Sequence, residues 1–145
     1  MNRPALIASL LAAGHRVRFT AGGYSMVPFV RPGDVLTVTP LDGTRLRPGD
    51  VVLYRRPPQG VLVAHRLIAP DSGRWRVGGD NLPGAEERIV AGQVLGTVAW
   101  IEHRGRRRRL GIGPGRRLIA LAMRLGGYPG PLLRALRRRR PGVQP

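Results

Sequence analysis

"VLVAHRLIAPDSGRWRVGG" (61–79) alternates in polarity and then turns back on itself. Period-2 alternation places Val61, Val63, His65, Leu67 and Ala69 on one face and Arg66 on the other. "PDSG" (70–73) has the length and composition of a hairpin loop, so "RWRVGG" (74–79) predicts the returning strand. Working outward, "VRFTA" (17–21), "DVLTVTP" (34–40), "GDVVLYRR" (49–56) and "QVLGTVAWIEH" (93–103) read as further strands. "PPQG" (57–60) is a tight connection, and "RRRRLGI" (106–112) closes the β-rich part. Two stretches echo each other, "VRPGDVLTV" (30–38) and "LRPGDVVLY" (46–54), so one turn chemistry opens two consecutive strands. Strands at this spacing indicate an antiparallel sandwich or a partly open barrel, and no longer repeat suggests a solenoid.

The chain has 145 residues, enough for one domain with one sizeable core. It contains no cysteine, which excludes disulfides and thiolate metal sites, and His15, His65 and His103 are too scattered for a zinc motif. No cofactor is expected. The net charge of +17 is unevenly placed: residues 1–18 carry three arginines and no acid, residues 19–102 nine arginines against eight acids, and residues 103–145 thirteen arginines and no acid. All 25 basic residues are arginine, so no lysine can serve as base or nucleophile. No segment reaches the roughly 20 apolar residues that a bilayer span needs. "PALIASLLAA" (4–13) lacks the basic start and cleavage site of a signal peptide.

These patterns divide the chain into a short N-terminal helical segment (1–18), a β domain (19–112) and a basic amphipathic tail (113–145). A helix over 3–13 ends at Gly14. In the tail, "GRRLIALAMRLG" (115–126) places Leu118, Leu121, Ala122 and Leu125 on one helical face and Arg117 and Arg124 on another. "GYPGP" (127–131) breaks that helix, and "LLRALRRRR" (132–140) resumes it. Two readings fit: an interfacial helix on an anionic membrane surface, or a helix packed on the barrel with a solvated arginine face.

"GGYSMVPFVRPGD" (22–34) sets Ser25 in a crowded turn of glycines and prolines. Plain turn chemistry is one explanation. The other is a nucleophile, with Gly23, Tyr24 and Met26 as candidates for oxyanion contact and substrate approach. A serine needs a neighbouring base. His65 lies mid-strand among aliphatics, where burial lowers its pKa and keeps it neutral and able to accept a proton; the same position also suits a buried structural histidine. A carboxylate would orient the imidazole. "VGGDNLPGAEERIV" (77–90) offers Asp80 first and Glu86 second, with Glu87 beside it.

Taken together, residues 19–102 resemble the signal peptidase and LexA-type serine peptidase superfamily. "SMVP" (25–28) with "RPGD" (31–34) resembles its nucleophile box, and "GDVVLY" (49–54) the next strand. "VAHRLI" (63–68) resembles the segment that supplies the base, and "GGDNLP" (78–83) the Gly-Asp-Asn box. With His65 at the base position, the chain is similar to the histidine branch, that of the endoplasmic-reticulum-type signal peptidases. The resemblance implies a mainly β fold of antiparallel coiled sheets in a partly open barrel. It implies Ser25 as nucleophile, His65 as general base and an acid after the Gly-Asp-Asn box at Glu86 or Glu87, where the family usually has aspartate. It also implies an oxyanion hole of backbone N–H groups, since Gly23 stands where many relatives have serine.

The expected function is thus a serine endopeptidase cutting a precursor protein or peptide bound in extended form, either cytoplasmic or at the cytoplasmic membrane face. A catalytically inactive peptide-binding or membrane-surface module on the same scaffold is the alternative. A LexA-like regulator is a third class, but residues 1–18 are too short for a helix-turn-helix. The tail also lacks the interleaved aromatics that stack on nucleic-acid bases.

Overall fold

The computed structural model describes residues 2–43 and 45–138. Its elements in chain order are α1 (Arg3–Ala12), β1 (Val17–Thr20), β2 (Val35–Pro40), β3 (Val51–Arg56), β4 (Val61–Asp71), β5 (Arg74–Gly78), β6 (Glu87–Ile89), a 3-10 turn (Ala91–Gln93), β7 (Val94–His103), β8 (Arg106–Arg108), α2 (Arg116–Arg124) and α3 (Pro129–Arg138). The strands form one antiparallel sheet in the order β1-β2-β7-β3-β4-β5-β6, with β8 added to β7. The sheet does not close, which agrees with the expected partly open β architecture with one N-terminal and two C-terminal helical pieces.

The echoed turns share one construction. Asp34 accepts the Arg31 N–H at 2.8 Å, and Asp50 accepts the Arg47 N–H at 2.9 Å. Each side chain thereby mimics a backbone turn and aims the chain into β2 or β3. Gly49, at φ +95°, also lies against α2: a Cβ there would meet the Arg116 carbonyl oxygen at 2.5 Å. Arg116 then reaches back to Asp50 at 2.9 Å.

Most of the core lies on one sheet face, where Ile7 and Leu11 of α1 pack with Met26, Val30, Leu36, Val38, Leu53 and Ile101. α1 and the start of β1 are therefore part of the domain's core. Asn2 caps α1 by accepting the Ala5 N–H at 2.9 Å, leaving its apolar stripe free to pack. A second cluster gathers Val52, Tyr54, Leu67, Val77, Ile89 and Val94. A third joins Ile68 and Ala69 to Met123 and Tyr128.

Two expectations are corrected and one strand is added. The alternation of β4 holds only to Leu67, because a bulge follows and sends Ala69 to the third cluster. The strand expected over 106–112 spans only Arg106–Arg108. β6 was not foreseen; its pairing of Val77 with Glu87 brings the acidic loop back to the sheet.

Candidate active site

Ser25 is half-buried in the loop between β1 and β2. Its carbonyl accepts the Asn81 N–H at 2.9 Å, and the Asn81 side chain donates to the Tyr24 carbonyl at 3.0 Å. The Gly-Asp-Asn turn is thus stitched to the serine turn. Gly79 makes this approach possible: a Cβ there would stand 2.5 Å from the Ser25 carbonyl oxygen and 3.1 Å from the Ser25 Cβ. Among the described residues, no hydrogen bond engages the Ser25 N–H or its hydroxyl. Gly23, at φ +76°, has open space beside it. Tyr24 is exposed, whereas the Met26 side chain is buried and forms part of the floor.

The β4–β5 register pairs Arg66 with Gly78. One step further along each chain stand His65 and Gly79, so the residue against which Ser25 packs is the register neighbour of His65. β5 ends at Gly78, which leaves the outer edge of Val61–His65 unpaired among the described residues. Among the described residues β1 and β6 are the end strands of the sheet, so β1 offers a second free edge facing this one. Between the two edges runs a cleft of about 340 Å³, lined by Phe19–Gly23, Ser25, Met26, Leu53 and Val61–Ala64. A larger hollow of about 540 Å³ lies between α1, Pro57–Pro58 and Gln93. Its only hydroxyl, that of Ser9, is bonded to the Ala5 carbonyl, so it lacks a base–nucleophile pair.

His65 is buried. Its register partner Val52, with Val63, Leu67 and Tyr54, puts it on the face of the second cluster. Ala64 and Leu53, which line the cleft, belong to the other face. Its Nδ1 lies 3.3 Å from the Tyr54 hydroxyl, and that hydroxyl donates to Glu87 Oε2 at 3.3 Å. A carboxylate only accepts, so the single phenolic proton goes to Glu87. The phenolic oxygen must then accept Nδ1–H, which leaves the basic lone pair on Nε2. Arg56 holds Glu87 from the other side, with Nε to Oε2 at 3.0 Å. Burial lowers the His65 pKa from 6.5 to about 4, opposed by the Glu87 charge and aided by Arg56. Burial, then the nearby Glu87, raises Tyr54 to about 12, so the phenol keeps its proton across the physiological range.

The expectation that Asp80 or Glu86 orients the imidazole is corrected. Both Asp80 oxygens are taken by Arg66, at 2.7 Å from Nε and 2.7 Å from Nη2, in a fully buried pair. Arg66 Nη1 also donates to the Gly49 and Gly111 carbonyls. Asp80 is therefore structural glue between β4 and the Gly-Asp-Asn turn. Glu86 accepts the Tyr128 hydroxyl and pairs with Arg76. Glu87 is the acid on the His65 side, with the Tyr54 hydroxyl standing between them. Tyr54 was missed: as the last aromatic of "GDVVLY" it reads as a core residue. His103 is engaged by Asp34 at 2.6 Å, and His15 is exposed. No hydrogen bond joins Ser25 to His65 among the described residues, and none of these residues forms a group suited to hold a metal ion.

No family model matches the chain, and no curated protein matches it either.

Proposed function

We propose that this protein is a serine endopeptidase that binds a precursor peptide as an added strand and cleaves it through Ser25, with His65 as general base. The observation that carries the reading is the packing of Ser25 against Gly79, the residue after the Gly78 that pairs with Arg66, at a cleft bounded by two free strand edges. An extended peptide in that cleft would satisfy the outer edge of Val61–His65 by backbone hydrogen bonds, as in β-strand addition. Five strand residues span roughly 16 Å, enough to fix the scissile bond over the serine.

Ser25 Oγ attacks the carbonyl carbon while its proton passes to His65 Nε2. The Ser25 N–H, without a hydrogen-bond partner among the described residues, donates to the oxyanion. The tetrahedral species collapses, the C–N bond breaks, and the amine leaves with the proton from the imidazolium. Water then repeats the sequence in reverse and releases the new carboxylate. Tyr54 and Glu87 hold the tautomer that leaves Nε2 open. His65 lies on the face of the second cluster and does not line the cleft, so proton transfer requires the Ser25 turn to shift toward Nε2 as the peptide binds.

A second reading is a peptide-binding module without hydrolysis, and the missing Ser25–His65 hydrogen bond favours it. One experiment separates the two. The full chain is treated with a fluorophosphonate probe and, in parallel, with candidate precursor peptides followed by mass spectrometry. The enzyme reading expects labelling at Ser25 that disappears in Ser25→Ala and His65→Gln, and a new peptide terminus with the same dependence. Cleavage that survives Ser25→Ala ends the proposal; peptide capture with no labelling installs the binding module in its place.

A further inference from the structure

The two C-terminal helices carry apolar surface that the domain does not use. Successive helical residues turn by about 100°, so Leu118 and Leu121 of α2 and its C-cap Leu125 fall within about 60° of one another. Ala120 and Met123 point roughly the other way. They are the buried pair, and Met123 packs with Ile68, Ala69 and Tyr128. The expected leucine face is thus real but turned outward: Leu118, Leu121 and Leu125 are 71%, 50% and 78% exposed. Arg117 and Arg124, also exposed, lie to the side of this stripe. α3 repeats the design, with Leu132 and Leu136 exposed and Arg134 and Arg138 on the opposite side. No acid occurs anywhere in residues 103–145.

A run of exposed leucines beside arginines is unfavourable in water and suited to a charged lipid interface. We propose that α2 and α3 dock the protein on the surface of an anionic lipid bilayer, leucines in the acyl boundary and guanidinium groups at the phosphates. Among the described residues, no helix is long and apolar enough to cross a membrane, so this is attachment in the plane of the surface. Charge argues against a second copy as the occupant, because two such faces would oppose arginine to arginine. The leucines argue against nucleic acid, since they add nothing to phosphate contacts and no aromatic of either helix is exposed for stacking. A cleft lined by Arg45, Arg47 and Arg109, with Arg116 paired to Asp50 in its wall, adjoins the start of α2.

The attachment has a structural consequence. The Gly130 N–H donates to the Asp80 carbonyl at 3.1 Å, and Arg134 donates to Asn81 at 2.7 Å. Asn81 in turn holds the Tyr24 and Ser25 carbonyls. Lipid-bound helices would therefore hold the Ser25 turn at a fixed height over the bilayer. The docking itself does not depend on Ser25 being catalytic.

The test is co-sedimentation of the full chain with vesicles of phosphatidylcholine alone and of phosphatidylcholine mixed with phosphatidylglycerol, across a salt series. Binding is expected to the mixed vesicles only, weakening as salt rises. The triple variant Leu118→Gln, Leu121→Gln, Leu125→Gln should bind at least about tenfold more weakly with its thermal unfolding unchanged. Arg117→Gln and Arg124→Gln should each cost about fivefold. Should the triple variant lose its helical circular dichroism, Leu125→Gln alone reads the same effect at the most exposed position. The proposal is overturned by no binding to the mixed vesicles, by equal binding to phosphatidylcholine alone, or by a folded leucine variant that binds like the parent. Tighter binding to duplex DNA than to the mixed vesicles at matched salt also overturns it.

Discussion

Asp80→Asn distinguishes a structural carboxylate from a catalytic one. Arg66 and Asp80 are both fully buried, and two hydrogen bonds of 2.7 Å join them. Asparagine keeps one acceptor but turns an NH₂ donor toward a guanidinium that only donates, and it removes the countercharge. Breaking a buried ion pair from one side costs about 3–5 kcal/mol. That is a large share of the roughly 5–15 kcal/mol that holds a domain folded. For a chain of this size it lowers Tm by about 10–15 °C. Removing both charges should not restore the parent. Arg66→Met with Asp80→Leu strips the Gly49 and Gly111 carbonyls of their donor, at about 1–3 kcal/mol each. The assay is thermal unfolding by circular dichroism, paired with Ser25-dependent cleavage well below the lowered Tm. Asp80→Asn should be much less stable yet still cleave when folded. A Tm within about 3 °C of the parent, with cleavage abolished, would refute the structural assignment and return Asp80 to the chemistry.

Three further outcomes follow from the same geometry. Tyr54→Phe should lower kcat more than it raises KM, and it should move the acid limb of the pH–rate profile downward, because Nδ1–H loses its acceptor and the imidazolium its support; an unchanged profile would remove Tyr54 from the relay. Stability should fall as pH drops from about 6.5 toward about 4, because the unfolded chain protonates His65 before the folded one does. The shift corresponds to roughly 3 kcal/mol, and urea titrations at a series of pH values should show this slope in the parent and its loss in His65→Gln. Gly79→Ala would push a methyl group against the Ser25 carbonyl oxygen. It should cost about 1–3 kcal/mol of stability and a disproportionate loss of fluorophosphonate labelling, while labelling at the parental rate would show that the Ser25 turn tolerates displacement.

Alternation and turn chemistry made most strands legible, because a half-buried strand and a Pro-Gly-Asp turn each impose residue types at fixed local spacing. His65 in a buried strand and Ser25 in a turn of glycines and prolines followed from the same local rules. Partners between distant segments did not. Asp80 was a natural companion for His65 by loop position, yet Arg66, one residue along and on the other face, takes it completely. Glu87 reaches the histidine's side only because Leu67 pairs with Val77 and Val77 with Glu87, two registers that no local pattern encodes. Tyr54 was hidden because a tyrosine ending an apolar strand looks the same whether its hydroxyl meets a histidine or water. For α2, periodicity defined a leucine face but not its direction. The pliable Met123 packs against Ile68 and Ala69 of β4, the small Ala120 is buried on the same side of the helix, and the bulkier leucines were left outside. Which face docks depends on the shape of the surface that receives it, and that surface exists only once the sheet has formed.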